Sequence, residues 1–160
     1  MPISYIKSPV GILKIVVEDA AIRTIQFVEK PGEEHSSNDV METAIQQLEA
    51  YFDGRRKNFN LPLAPKGTSF QQKVWNELKN VSYGKTVSYQ EIANRLGDPK
   101  VIRAAASANG KNPIAIVIPC HRIIGSDGSL TGYAGGLHRK KWLLEHESPV
   151  MQGTLFDSYI

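Results

Sequence analysis

The 160-residue chain has one cysteine, two tryptophans and three methionines, and aromatic residues make up only 8% of it. A single cysteine excludes an internal disulfide and any cysteine-rich zinc site, so Cys120 is a packing group, a nucleophile or a redox thiol. Long apolar runs are also missing. Nothing approaches the ~20 residues needed to cross a bilayer, and the opening MPISYIKSPVG lacks the basic, apolar and small-residue regions of a secretion signal. The expectation is a soluble cytoplasmic protein with no membrane partner. Internal repeats and low-complexity segments are absent from the sequence.

The hydrophobic content of 41% suits one ordinary domain or two small ones sharing a core. The net charge of +3 hides an asymmetry. Residues 1–60 carry seven Lys/Arg against nine Asp/Glu, whereas residues 61–160 carry twelve against seven. The basic part is the part that holds the cysteine. Such a bias suits an anionic partner such as nucleic acid, and it equally suits mere solubility.

Three segments, SYIKS, GILKIVVE and AIRTIQFVE, are rich in Ile, Val, Tyr and Phe and are separated by the turn-like PVG and EDA. They predict an antiparallel meander. A helix follows, capped by Asn38 or Asp39, with Val40, Ala44, Ile45, Leu48 and Phe52 as its apolar face and Gly54 as its end. RRKNFNLPLAPKG then reads as a linker. Beyond it, TSFQQKVWNEL opens with Thr68 and Gln71 at capping-box spacing and places Phe70, Val74 and Leu78 on one stripe. SYQEIANRLG repeats that device with Ser88 and Glu91, turns Ile92 and Leu96 inward and stops at Gly97. DPKVIRAAASANG starts a second helix with Asp98 as cap and Pro99 in its first turn, and closes at Gly110. IAIVI reads as a buried strand or extended segment, GSDGSLTGYAGG as a glycine-rich loop, and LHRKKWLLEHE as a last helix. The fold class is α+β: a sheet-and-helix domain with its linker over residues 1–66, then a mostly helical domain with a helix-turn-helix over residues 67–160.

The helix pair fits either a packed bundle or a DNA-reading unit. Its second helix carries RAAASA, where only Arg103 extends far beyond Cβ, so its backbone can approach another surface closely. That surface is a packed neighbour or the floor of a groove.

Cys120 lies in IVIPCHRII. A free cysteine most often behaves as a small buried hydrophobe. Here Pro119 fixes the backbone, His121 is a candidate base, and Arg122 adds positive potential favouring thiolate. Adjacent residues of an extended chain point to opposite sides, so His121 reaches Cys120 only across a sharp turn or a water. A carboxylate must orient the imidazole, and Glu145, Glu147 and Asp127 are the candidates. Taken singly, Tyr89 reads as a packing residue, Asn112 as a turn brace, Lys140 as a solvated helix face, Trp75 and Trp142 as core, and His35 as surface. A cysteine hydrolase and a DNA-binding regulator with an inert thiol remain alternatives to an alkyl acceptor.

The run from FQQKVW through GKTVSYQEIA, RAAASANGKNP, IPCHRII and GYAGGLHRKKWLLEHE, about residues 68–147, resembles the O6-alkylguanine-DNA alkyltransferase family, also called methylated-DNA–protein-cysteine methyltransferases. The resemblance implies irreversible transfer of an alkyl group from O6-alkylguanine, and also from O4-alkylthymine, in double-stranded DNA to Cys120. Each molecule would act once, as a monomer, without cofactor or metal, in the cytoplasm or on a prokaryotic nucleoid. Cys120 would be the acceptor, His121 a base working through a bound water, Glu147 the carboxylate that orients it, Asn112 the brace of the loop, and Tyr89 the donor to the leaving purine. Arg103 would enter the base stack from a helix seated in the minor groove, with Lys100, Ala104 and Ser107 also facing DNA. Ile123, Tyr133, Ala134 and Lys140 would form the base pocket, partly through backbone groups. Some members carry a hydroxyl where this chain has Ala134.

Overall fold

The computed structural model describes residues 1–148. The chain divides into two compact units, Met1–Lys66 with Pro113–Ala115, and Gly67–Asn112 with the residues from Ile116 onward. Three residues of the expected C-terminal domain thus belong with the N-terminal unit, and the far end of that domain, residues 149–160, lies outside the described residues. The small antiparallel sheet and the mostly helical second unit make the α+β class implied by the sequence. Among the described residues no helix is long and apolar enough to cross a membrane.

In the first unit, β1 (Ile3–Ser8), β2 (Gly11–Glu18) and β3 (Ala21–Val28) pair antiparallel in chain order. Leu13, Ile15 and Val17 alternate along β2 and are all buried, as a strand covered on one face requires. The helix α1 (Asp39–Phe52) begins where the Asn38 side chain accepts from Met41 N–H at 2.9 Å. Its buried face is Met41, Ala44, Leu48 and Tyr51, while Val40, Ile45 and Phe52 are only half-buried. The difference from the expected face has a cause. Tyr51 packs against Phe59, and Gln47 brackets the backbone of Asn60 with bonds of 2.9 and 3.1 Å, so the linker pulls the helix face towards itself. Further along, Ile22 N–H donates to Pro62 and Ala64 N–H to Ile22, each at 2.8 Å. Residues 113–115 do the same beside Ile25, so two short pieces satisfy stretches of the outer edge of β3 that would otherwise invite aggregation.

In the second unit, α2 (Ser69–Leu78) starts at the expected capping box, with both the Thr68 and Gln71 side chains bonded to backbone N–H groups. Val74, Trp75 and Leu78 are buried, and Trp75 Nε1–H donates to Ala108 O at 2.9 Å. The short strand β4 (Val87–Ser88) leads into α3 (Tyr89–Arg95), capped by Ser88. Glu91 turns to Arg95 instead of closing a second capping box. After Gly97, with φ +90°, Asp98 caps a 3₁₀ turn at Pro99–Val101, and α4 (Ile102–Gly110) follows. The strand β5 (Ile123–Ile124) pairs parallel with β4, and α5 (Leu137–Glu147) ends the described chain. The β4–β5 pairing sets the start of α3, and hence Tyr89, beside the residues that follow Cys120.

The expected strand at IAIVI does not form. Residues 115–117 turn, with Ile116 at φ +72°, and Ile114, Ile116 and Ile118 are all buried. The unbroken apolar run produced the strand-like reading, but a buried turn accommodates it too, at the strain cost of a β-branched residue in the left-handed region. Trp142 also departs from expectation: it is half-buried and stacks on His146 at 4.7 Å between ring centroids.

Candidate active site

Cys120, His121 and Arg122 form a single 3₁₀ turn. Successive side chains in such a turn diverge by about 120°, so the three neighbours are sent to different partners. His121 Nε2 meets Glu147 Oε2 at 2.7 Å. Arg122 Nε donates to Glu147 Oε1 at 2.8 Å, Nη2 to Oε2 at 3.1 Å, and Nη1 to Val81 O at 2.7 Å. One carboxylate thus receives a two-pronged guanidinium and an imidazole, all buried.

The helix α5 explains how both charged groups of this face reach the interior. Lys140, Leu143, Leu144 and Glu147 are its buried residues, spaced i, i+3, i+4, i+7. Glu147 sits at the C-terminal end, where the helix dipole disfavours an anion, so its ionised form relies on Arg122 and His121. At the other end of the stripe, Lys140 is 0% exposed, and its Nζ donates to Ile123 O at 2.6 Å and Thr131 O at 2.7 Å. The second of these carbonyls also accepts from Tyr89 Oη at 3.0 Å. Gly132 follows with φ +62°, and a Cβ there would come within 3.3 Å of that hydroxyl, so the loop needs glycine twice over.

The titration of these groups follows from burial and charge. Burial opposes ionisation of Glu147, yet the imidazole and the Arg122 fork overcome it and hold the carboxyl well below the usual range. Burial lowers His121, outweighing the carboxylate, with Arg122 and Lys140 adding to the effect. The imidazole is therefore neutral at pH 7. An ionised carboxylate only accepts, so Nε2 carries the hydrogen and Nδ1 is the bare, basic nitrogen. Nδ1 is buried and has no hydrogen-bond partner among the described residues. Burial pushes the Cys120 thiol up, while hydrogen bonding from Asn112 and the charge of Lys140 act against it. Lys140 itself is lowered by burial to about 8. At neutral pH the thiol form dominates, and thiolate must be made by a base.

Asn112 Nδ2 donates to Ile118 O at 2.7 Å, bracing the turn that delivers Cys120. The Tyr133 hydroxyl is buried without a partner among the described residues, and burial first, then the charges of Cys120 and Glu147, push its pKa well up. Ile123 is fully buried, whereas Ala134 is exposed. On α4 and the turn before it, Lys100, Arg103, Ala104 and Ser107 are all exposed, while Ala105, Ala108 and Asn109 face inward. Apart from the exposed Ala134, the expected residues therefore fall into a buried or half-buried cluster around Cys120 and a separate exposed face of α4 and the turn before it.

Comparison with known proteins adds a decisive finding. The 6-O-methylguanine DNA methyltransferase DNA binding domain matches residues 69–149, and the ribonuclease-like domain of the same proteins matches residues 1–65. The chain belongs to the 6-O-methylguanine DNA methyltransferase family. A methylated-DNA–protein-cysteine methyltransferase of Methanosarcina acetivorans is 44% identical over 147 residues, covering 88% of this chain and 94% of the relative. One from Mycobacterium bovis is 43% identical over 159 residues, covering 95% and 96%. The crystal structure of the Mycobacterium tuberculosis O6-methylguanine methyltransferase superposes with a TM-score of 0.84 at 40% identity, covering 96% of each chain. That of Mycobacterium tuberculosis OGT in complex with DNA gives 0.82 at 42%, covering 93% of this chain and 94% of that one.

In this methyltransferase family member, two readings of single residues change and one choice among carboxylates is narrowed. Lys140 is no solvated helix residue; the Leu143/Leu144 stripe on which it lies was the signal for its burial. Arg122 serves Glu147, and the cation that acts on the Cys120 thiol is Lys140. Of the three candidate carboxylates only Glu147 meets His121; Glu145 lies 3.8 Å from Lys141, and Asp127 accepts from Ser129 N–H in its turn. Asn109 was missed. It is 2% exposed and reaches towards the Cys120 carbonyl, and inward spacing with Ala105 was the only hint of it.

Glu147→Gln keeps the shape but leaves the Arg122 charge buried and unpaired, which is expected to cost about 3 kcal/mol, read from the urea midpoint at unchanged slope. Because its folded pKa lies below the ordinary 4.5, Glu147 contributes stability above that pH and loses it as pH falls. The acid limb of a stability-against-pH curve should accordingly be shallower in Glu147→Gln.

Proposed function

We propose that this chain repairs DNA by direct reversal, taking the alkyl group from O6 of guanine onto Cys120 and retaining it. The observation that carries this reading is a sole, 7% exposed cysteine beside a neutral imidazole fixed by a buried carboxylate, in a member of the 6-O-methylguanine DNA methyltransferase family.

Double-stranded DNA meets the exposed face of α4, where Ala104 and Ser107 permit close backbone approach, Lys100 supplies charge, and Arg103 occupies the space of the extruded nucleotide in the minor groove. Phosphate contacts position the duplex without reading its sequence. Extrusion costs a few kcal/mol, and least where alkylation has already weakened pairing. His121 Nδ1 draws the thiol proton through a bridging water, and Lys140 favours the resulting thiolate. The sulfur forms a bond to the alkyl carbon as the C–O6 bond breaks, and the electron pair of that bond leaves with guanine. Tyr89 releases the Thr131 carbonyl and donates its proton to the purine ring nitrogen, so the base departs neutral, and the proton taken up by His121 restores the phenol through water. Carbonyls at Cys120 and Ile123 and the backbone at Ala134 read the base edge. Tyr133 walls the pocket and Asn112 keeps the turn in place.

The product is a thioether. Unlike a thioester it has no activated carbonyl for water to attack, so each monomer acts once and no cofactor is consumed. An acyl-transfer reading of Cys120 and His121 leaves the exposed small-residue face of α4 without a use. O4-alkylthymine presents a similar ether on a ring edge and is a second substrate. The place of action is the cytoplasm, on the nucleoid in a prokaryote.

Incubation with duplex DNA containing O6-methylguanine should add one methyl, found by peptide mass spectrometry on Cys120 and absent from Cys120→Ser. Continued turnover, or no modification of the wild-type chain, would overturn the reading. Arg103→Ala is expected to slow repair in duplex at least tenfold while transfer from free O6-alkylguanine changes less than threefold; equal loss on both substrates would remove its role in extrusion.

A further inference from the structure

Asn109 belongs to none of the roles assigned above, yet its placement is costly. It lies on the inner face of α4, on the same side as Ala105 and Ala108, at 2% exposure. Its Nδ2 points to Cys120 O at 3.4 Å, a long bond, and its Oδ1 is buried with no hydrogen-bond partner among the described residues. A buried unsatisfied amide oxygen costs stability, which an alanine or methionine in this small-residue helix would avoid. The same side chain favours the ionised form of the Tyr89 phenol, against a burial effect that raises it. Asn109 therefore acts on two groups that an extruded base would use: the carbonyl beside the nucleophile, which it faces, and the hydroxyl that protonates the leaving purine, whose ionisation it favours. A third, Lys140, lies 5.7 Å from the Tyr89 ring and holds the carbonyl to which Tyr89 is bonded.

We propose that Asn109 is a positioning residue of the transfer reaction, its amide setting the Tyr89 hydroxyl and the Cys120 carbonyl in register with one another. This inference rests on the alkyl-transfer reading of the site. In the structure the Tyr89 hydroxyl is committed to Thr131 O, and the Asn109 amide is only loosely engaged. When Tyr89 turns from Thr131 to the purine nitrogen, the Asn109 N–H group supports the phenol oxygen as that hydroxyl gives up its proton. The dispersed charge makes Tyr89 a better donor at the moment the C–O6 bond breaks. The second N–H of the same Nδ2 keeps the Cys120 carbonyl at the height of the base edge. An amide serves here because it stays neutral beside a thiolate, whereas a carboxylate would oppose it.

The test uses the full chain and two alkyl sources. Transfer from O6-benzylguanine needs help for its leaving group, whereas reaction of Cys120 with methyl iodide does not, since iodide leaves unprotonated. Asn109→Leu is expected to slow the first at least tenfold and the second less than threefold. On a Tyr89→Phe background the same substitution should add less than twofold, because its partner is gone. Asn109→Asp keeps the shape, and its rate should fall as pH rises through ionisation of the new carboxyl, over a range where the wild-type rate does not fall. Equal slowing with both alkyl sources, additivity with Tyr89→Phe, or a wild-type-like pH profile in Asn109→Asp would each overturn the proposal. Failure of the wild-type chain to accept the benzyl group would instead overturn the alkyl-transfer reading on which it rests.

Discussion

The arrangement around Cys120 depends on one carboxylate, Glu147, shared between His121 and Arg122. A charge buried this deeply would neutralise itself by taking a proton unless it were paired and fully hydrogen-bonded. Arg122 supplies the pairing with two parallel bonds and anchors its own remaining prong on Val81 O. With the carboxylate thus kept ionised, the imidazole has no choice of tautomer. The bare nitrogen is forced to the other side of the ring, and the 3₁₀ turn that sends His121 to Glu147 leaves Cys120 on a different heading. A network that looks like a stability device is therefore what sets the polarity of the base.

The thiol is held back by the same surroundings. Burial suppresses the thiolate, and the positive charge of Lys140, itself pushed down to about 8, only partly restores it. A nucleophile that reacts once gains from such restraint: a permanently ionised thiolate would be spent on adventitious alkylating or oxidising agents. In the proposed transfer, substrate entry changes the balance, since Tyr89 exchanges its bond to Thr131 for one to the base. Lys140 donates to that same carbonyl, which keeps the loop in place while Tyr89 moves.

Much of this was legible in the chain before any coordinates. Local signals behaved as physics says they should: the Thr68–Gln71 box, the Asn38 and Ser88 caps, the glycine stops and the bounds of α5 all appear where the residue pattern put them. Long-range partners were legible only through the resemblance. Spacing alone left Glu145, Glu147 and Asp127 open, because which face of a helix meets a turn some 25 residues earlier depends on packing that no local rule encodes. The misreadings share a physical origin. IAIVI is a continuous apolar run, which buried strands and buried turns have in common, and Lys140 was judged by its charge and not by the leucine stripe it extends. Asn109 was missed because its inward spacing with Ala105 was the one hint, and a buried amide among alanines has no compositional signature.

The central claim is that Glu147 fixes His121 as a neutral imidazole with its hydrogen on Nε2. The most direct measurement is nitrogen NMR of the histidine rings in uniformly labelled protein, with His121 assigned by the loss of its signals in His121→Gln. A neutral ring protonated at Nε2, persisting as the pH is lowered through about 6.5, where a free imidazole is half-protonated, is the expected result. A ring protonated at Nδ1, or an imidazolium already present at pH 7, would contradict the account.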